Sequence, residues 1–326
     1  MTRGAAMATS GAAPAAANPR RFFSAARETI GRFWLEHLMM WSLEHCPWVA
    51  RATKPFFLAS GWICAPRLRA MTIHNARIIL GDDAGLRAHR RLAKAMISNS
   101  YDFIISLSRA SRLSLDSLLE EIESVEGVEH FRAARQLGRG LIIATAHLGD
   151  FECGMAALHR IEPRVHVAFH RDRMPVFERL RSVQRQRLGV IEAPVDGGPG
   201  AWLAVRDALL ANEVVLVQAD RALPGQKGML VPFLHSRVMF ASGPARLSIL
   251  TRAAIVPAFA VRNARGRVRV ILEPAIVPEA FGDDVKAMVA ALAAVIGRFV
   301  GQYPQQYHGV HDDWLRAQQA IDSHEA

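Results

Sequence analysis

The sequence predicts an α/β fold, a mixed central sheet flanked by helices, with a helical region ahead of it. Three observations carry this expectation. Short apolar runs of strand length recur in the later part of the chain, and helical patterns separate them. The 326 residues are 51% hydrophobic, enough to bury a substantial core and too much for a disordered chain.

Residues 1–20 are rich in Ala, Gly, Pro and Ser and read as a disordered lead. No continuous apolar segment of adequate length follows the early Arg3, so they do not read as a signal peptide. One domain is expected over 21–320, with no internal repeat and no linker dividing it. Its first part, about 28–125, reads as mostly helical. Within it, Leu92, Met96, Ile97, Phe103 and Ile104 recur at roughly helical spacing. Residues 33–64 mix Trp, Phe and Met with Arg, Lys and His, the composition of an interfacial membrane-binding surface. The run "PFFLASGWICAP" (55–66) is about half of the roughly 20 residues that a spanning helix needs.

The second part, about 126–316, alternates. Strands are expected at 140–146 ("GLIIATA"), 164–169, 213–219, 254–262 and 267–274. Helices are expected at 151–161, 174–187, 199–211, 243–252 and about 283–301. In such sheets ligands bind beyond the carboxyl ends of the strands, where the pattern places His147.

Charge and cysteine usage narrow the classes. Forty Lys+Arg against 30 Asp+Glu give a net charge of +10, which suits an anionic partner: nucleic acid, anionic lipid or an acidic carrier protein. Aromatics are only 7% and concentrate near the N-terminus rather than among the arginines, which argues against nucleic acid. Cys46, Cys64 and Cys153 form no C-x-x-C pair, and their odd number fits a reducing compartment rather than a disulfide framework.

The most informative stretch is "ATAHLGDFECG" (144–154). His147 ends an apolar strand, and Asp150 and Glu152 follow. On one continuous helix positions five apart lie about 140° apart and would not meet. In a strand–turn–helix geometry Leu148-Gly149 make the turn, a helix begins near Asp150, and Glu152 faces back toward the imidazole. Asp150 is well placed to cap that helix. A carboxylate that holds an imidazole fixes its tautomer and stabilises the imidazolium it becomes. There is no G-x-S-x-G nucleophile motif. A histidine–carboxylate pair without a protein nucleophile suits a base that activates a substrate hydroxyl.

"AHLGDFE" resembles the H-x4-D/E signature of glycerolipid and lipid A acyltransferases, in particular the late (lauroyl/myristoyl) acyltransferases of lipid A biosynthesis. The resemblance runs from about 35 to 316 in order, through "VAFHR" (167–171), "LLANEVVLVQAD" (209–220), the block 227–262 and "YPQQYHGVHDDW" (303–314). It implies transfer of an acyl chain from acyl carrier protein to a hydroxyl of a lipid A precursor or related glycolipid, without a cofactor or metal, at the cytoplasmic face of the inner membrane. It assigns His147 as general base and Glu152 as its orienting partner. Arg171 and nearby backbone amides are candidates for holding the oxyanion, and Gly149 and Asp150 for binding substrate. Asp220 also ends an apolar strand and is expected on the same rim as His147, where it orients a substrate or a loop or makes a structural salt bridge. The chain differs from the family pattern at Asp220-Arg221, where the family has Asp-Gln, at Phe233-Leu234-His235, where it has Phe-Phe-Gly, and at Tyr307, where it has Trp. Those departures leave the chemistry in place and the acceptor open, so another membrane phospholipid, glycolipid or aminolipid is an alternative acceptor.

Other signals weigh less. The stretch 164–187 holds seven arginines, of which Arg171 ends a strand on the active-site side. "HRD" at 170–172 lacks both a Gly-rich phosphate loop and the kinase asparagine, whose place Phe177 takes. His166 and His170 are roughly 13 Å apart on a strand, too far to share a metal. A non-catalytic anionic-lipid-binding protein is the rival class, and it would be indifferent to His147.

Overall fold

The computed structural model describes residues 40–172, 175–222 and 226–316. The expected lead at 1–20 and the first part of the aromatic region, 33–39, lie outside them. The chain divides into Met1–Ala50 and Arg51–Ala326. In the first unit α1 (Met40–His45) stacks the Trp41 and His45 rings at 5.2 Å. The helix α2 (Pro47–Cys64) starts there and continues into the second unit.

In the main unit α3 (Pro66–Leu80), α4 (Gly85–Ala110) and α5 (Leu115–Leu119) come first. The sheet then builds from β1 (Ile122–Glu126), β2 (Leu141–Thr145), β3 (Val165–Phe169), β4 (Ile191–Pro194), β5 (Val214–Gln218), β8 (Ala254–Arg262) and β9 (Val268–Leu272). Between them lie α6 (Val128–Gln136), α7 (Phe151–Ile161), α8 (Pro175–Arg187), α9 (Pro199–Leu210) and α10 (Gly243–Thr251), and α11 (Val285–Gln302) follows β9. A separate antiparallel ribbon pairs β6 (Gly228–Phe233) with β7 (Ser236–Ala241).

The seven-stranded sheet runs β1-β9-β8-β2-β5-β3-β4. The strands β8, β2, β5, β3 and β4 are parallel, and β9 is antiparallel to β8, so the sheet is mixed as the sequence predicts. Every residue of β2 is buried. That explains its unbroken apolar run, because a strand covered on both faces needs no polar side. Ile142 and Ala144 join a core with Val215, Ile255 and Phe259 on one face. Leu141 and Ile143 join a second core with Val214, Val256 and Met155 on the other.

Three elements depart from the expectation. The end of the expected helical region, "IESVE" (122–126), is an edge strand; its charged alternation reads equally as a solvated helix. The strand β4 is only four residues long and ends in Pro194. The β6–β7 ribbon turns at Leu234-His235, where Leu234 takes φ +52°. Gly or Asn is the usual signal for such a backbone, and neither stands here.

The apolar helix α11 is a core helix. Met288, Val289, Leu292, Ala293, Ile296 and Val300 are buried along it. It is the one helix among the described residues long and apolar enough to cross a membrane.

Candidate active site

The site forms where β2 and β5 end side by side. They are parallel neighbours with Thr145 opposite Gln218, and the Ala219 amide donates to the Thr145 carbonyl (2.9 Å). Two residues further along each strand stand His147 and Asp220. Strand spacing of about 4.8 Å brings the two side chains into contact. His147 Nδ1 donates to Asp220 Oδ1 at 2.8 Å. The carboxylate is fully buried, while the imidazole keeps about a fifth of its surface open.

This corrects the expected pairing of His147 with Glu152. Among the described residues no hydrogen bond joins them. Glu152 stands in the first turn of α7 and faces a cavity under that helix, whereas the in-register neighbour strand presents Asp220 directly to the ring. The signal was present in the sequence. "ATAH" and "VQAD" end two apolar strands at the same offset, and parallel neighbours in register make such ends adjacent.

Asp220 is held from its other oxygen. Tyr307 Oη donates to Asp220 Oδ2 at 2.9 Å, and its own oxygen accepts from His311 Nε2 at 3.1 Å. Tyr307 stacks on Trp314 with ring centroids 5.2 Å apart. Burial opposes ionisation of Asp220, but the neighbouring His147 and Arg221 outweigh it and hold the carboxyl well below its usual range. Burial, and then the Arg221 charge, lower the pKa of His147 against the pull of Asp220. The imidazole is therefore neutral at pH 7, with Nδ1 protonated and the Nε2 lone pair outward. That lone pair accepts from Arg221 Nη2 at 3.1 Å, and Arg221 Nε lies 3.4 Å from Asp313 Oδ2.

The turn after His147 is fixed by backbone constraints. Gly149 takes φ +67°, and a Cβ there would collide with the Ala260 carbonyl oxygen. Its identity follows from that close approach rather than from substrate contact. The His308 backbone amide donates to the His147 carbonyl (2.8 Å), and His308 Nε2 donates to the Gly149 carbonyl (2.9 Å). Burial lowers the His308 pKa to about 4. Asp150 caps α7 by accepting from the Cys153 amide (3.3 Å), and its other oxygen pairs with Arg262 and Ser106. Its carboxylate is thus committed to anchoring the helix. Cys153 lies beside this pair with Glu121, the one group of potential metal ligands among the described residues. Arg262 neutralises that group through ion pairs to Glu121 and Asp150.

Beneath α7 lies a cavity of about 550 Å³. Apolar side chains line it across the sheet, among them Ile143, Val167, Leu216, Ala258 and Val270, with Met155 above from α7. It reaches from Phe169 on β3 to Ile122 and Val125 on the edge strand β1. At the end near β3 stand Phe151, Glu152, Gln218, Arg181 and Arg185. The Phe151 ring, which lines the cavity, meets the His147 ring edge-on at 6.4 Å, so one side chain stands between the cavity and the imidazole. Burial raises the Glu152 pKa to about 7, although Arg181 pulls it down. Arg181 has a buried Nε without a partner. Arg185 is tied to Glu178 (2.5 Å) and Glu192 (2.7 Å) beneath the Phe169 ring. Arg171, the arginine singled out in the sequence, pairs instead with Asp196 at 3.2 Å and is largely exposed. His308, His311, Asp313 and Arg181 are the site residues that sequence reasoning did not single out, while Arg221 and Tyr307 stood out only as departures from the family pattern.

A neutral histidine held by a buried aspartate thus stands one side chain from an apolar slot at the carboxyl end of a parallel sheet. The comparisons make the class specific. The chain belongs to the bacterial lipid A biosynthesis acyltransferase family, which it matches over residues 21–316. Among curated proteins it is similar to a phosphatidylinositol mannoside acyltransferase of Mycobacterium tuberculosis, 28% identical over 59% of this chain and 60% of the relative. The chain thus spans three-fifths of that relative's length. It is also similar to a phosphatidylinositol mannoside acyltransferase of Mycolicibacterium smegmatis, 27% identical over 79% of this chain and 90% of the relative.

Proposed function

We propose that the protein is an O-acyltransferase that moves a fatty acyl chain from an acyl-carrier-protein thioester to a hydroxyl of a membrane glycolipid, a lipid A precursor or a mannosylated lipid of the kind its relatives are named for. One observation carries this reading: a single side chain, Phe151, separates the His147–Asp220 pair from an apolar slot of about 550 Å³. That volume lies in the range that engulfs a ligand of roughly 300–1,000 Å³, and the lining suits an alkyl chain.

The chemistry follows from the geometry. Asp220 holds Nδ1–H, so Nε2 is the basic nitrogen. The acceptor hydroxyl gives its proton to Nε2 as its oxygen bonds to the thioester carbon. The tetrahedral intermediate collapses with C–S cleavage, and the imidazolium returns the proton to the thiolate. Asp220 stabilises the transient imidazolium. Arg181, with its buried unpartnered Nε, is suited to the oxyanion. General-base catalysis contributes about 10²–10⁴-fold, so positioning of the chain in the slot supplies much of the rest.

The surface supports work at a membrane. On α2, Phe56 and Ile63 are 72% and 71% exposed. Seven residues apart, they share one helix face to within about 20°. The net charge of +10 favours an anionic bilayer and an acidic carrier. We place the protein at the cytoplasmic face of the inner membrane on these grounds.

The test is an acyl-transfer assay with labelled acyl–carrier protein, a total lipid extract and mass spectrometry of the product. Wild type should yield a lipid carrying one extra acyl chain, and His147→Ala, folded by circular dichroism, should yield none. Transfer that survives His147→Ala would remove the base from the mechanism.

A further inference from the structure

We infer that Arg221 is a gate on the catalytic base that opens for an acceptor carrying a phosphate close to its reacting hydroxyl. The inference rests on the acyltransferase reading above and names the chemistry its acceptor must have.

Nε2 of His147 is the nitrogen that must meet the acceptor hydroxyl, because Asp220 occupies Nδ1. In the structure Arg221 Nη2 already sits on that lone pair at 3.1 Å. A base whose lone pair is covered takes no proton, so Arg221 has to move before transfer begins. The hydrogen bond that it gives up at the ring is weak. A guanidinium carries five donors in a fork shaped for carboxylate or phosphate, and among the described residues it makes one hydrogen bond, to a neutral ring. Its Nε is buried without a hydrogen bond, with Asp313 only within ion-pair range at 3.4 Å. An anion able to take two of those donors at once is a far better partner than the imidazole. Only a phosphate on the acceptor is placed to do this, since the donor's phosphate lies at the remote end of a long pantetheine arm.

The arrangement gives the covered state a purpose. A neutral histidine next to a bound thioester would also deprotonate water. Water would lose a proton to Nε2, its oxygen would bond to the acyl carbon, and the thiolate would leave with that proton as free fatty acid is released. With Arg221 on the lone pair that loss is suppressed until the anionic acceptor draws the guanidinium away and uncovers the base beside its own hydroxyl. Asp313 supplies the tether along which Arg221 swings, and the family's glutamine at this position has no charge to respond with.

The experiment compares wild type, Arg221→Gln and Arg221→Lys. It uses palmitoyl–carrier protein alone, then with phosphatidylinositol mannoside, then with a neutral dialkyl mannoside that lacks phosphate. Arg221→Gln should raise acceptor-independent fatty-acid release about tenfold. It should also raise KM for the phosphate-bearing acceptor at least roughly tenfold, the scale of one charge-assisted hydrogen bond, and raise kcat/KM for the neutral acceptor, which no longer has to displace the guanidinium. Arg221→Lys, which keeps the charge without the fork, should fall between. Equal losses toward both acceptors, or fatty-acid release no faster than wild type in a variant with unchanged thermal unfolding, would overturn the gate and reduce Arg221 to a structural ion pair. Wild type that transfers palmitate to neither acceptor would instead overturn the glycolipid reading on which the gate depends.

Discussion

At the scale of single residues, the site turns on which carboxylate serves the imidazole. Asp220→Asn removes the charge that stabilises the imidazolium and fixes the tautomer. It should lower kcat by roughly 10²–10⁴-fold. Glu152→Gln should cost far less, and single-turnover kinetics on the two variants decides between them. Glu152 has its own signature. Its folded pKa is raised to about 7 from 4.5. A raised pKa means the folded state holds the proton more tightly, so stability is full below about pH 4.5 and falls as pH rises through 7. Glu152→Gln should therefore raise Tm at pH 8, by up to about 3 kcal/mol of stability, and leave it unchanged at pH 4.5. His147 shows the opposite displacement. Burial and Arg221 hold its pKa below 6.5, so the acid limb of kcat/KM lies below 6.5. Taking away the Arg221 charge in Arg221→Gln should move that limb upward, which a pH–rate profile reads directly. His147 was legible from its place at a strand end. Its partner was half legible: Asp220 ends a strand expected on the same rim, but 73 residues separate the two and only the β2–β5 register shows that they meet. Sequence proximity favoured Glu152, five residues away. Tyr307 was noticed as a departure from the family tryptophan, but its hydroxyl on Asp220 is a tertiary fact.

At the scale of elements, the turn between β2 and α7 sets the precision of the base. Gly149→Ala would force a non-glycine residue to φ +67° and drive its Cβ into the Ala260 carbonyl. We expect a loss of several kcal/mol and no activity, measured by urea unfolding and by the transfer assay. The slot under α7 is likewise a product of packed elements. Ala258 lines it from β8, in the middle of the sheet. Ala258→Phe should fill it and shift donor preference toward shorter chains in a competition between acyl thioesters of different length; an unchanged preference would place the chain elsewhere. The long, strongly patterned elements were legible. The strand β8 and the helix α7 have the bounds that their periodicity predicts, and β2, β3, β5 and β9 lie within one or two residues of theirs. What was missed was short or carried the wrong punctuation: β4, the charged edge strand β1, and a ribbon turned by Leu234-His235.

At the scale of the whole molecule, charge and exposed apolar surface act together. Under the proposed docking at a membrane, the exposed Phe56 and Ile63 enter the bilayer and the basic balance draws anionic headgroups. Phe56→Ser with Ile63→Ser should weaken sedimentation with vesicles of phosphatidylglycerol and phosphatidylethanolamine at low salt. Transfer to a detergent-solubilised acceptor should persist. Binding as strong as wild type would show that another face meets the bilayer.

The span of the hydrogen-bond chain has a consequence for the newly made protein. His147 meets Asp220 across 73 residues, and Asp220 meets Tyr307 across 87 more. Such distant contacts form late, because loop-closure entropy must be met before they reward the chain. A polypeptide emerging from the ribosome holds the histidine long before it holds the tyrosine that locks its aspartate. Under the proposed mechanism a half-folded chain is inert toward thioesters, and catalytic competence doubles as a certificate that the strand order and the segment around Tyr307 have settled.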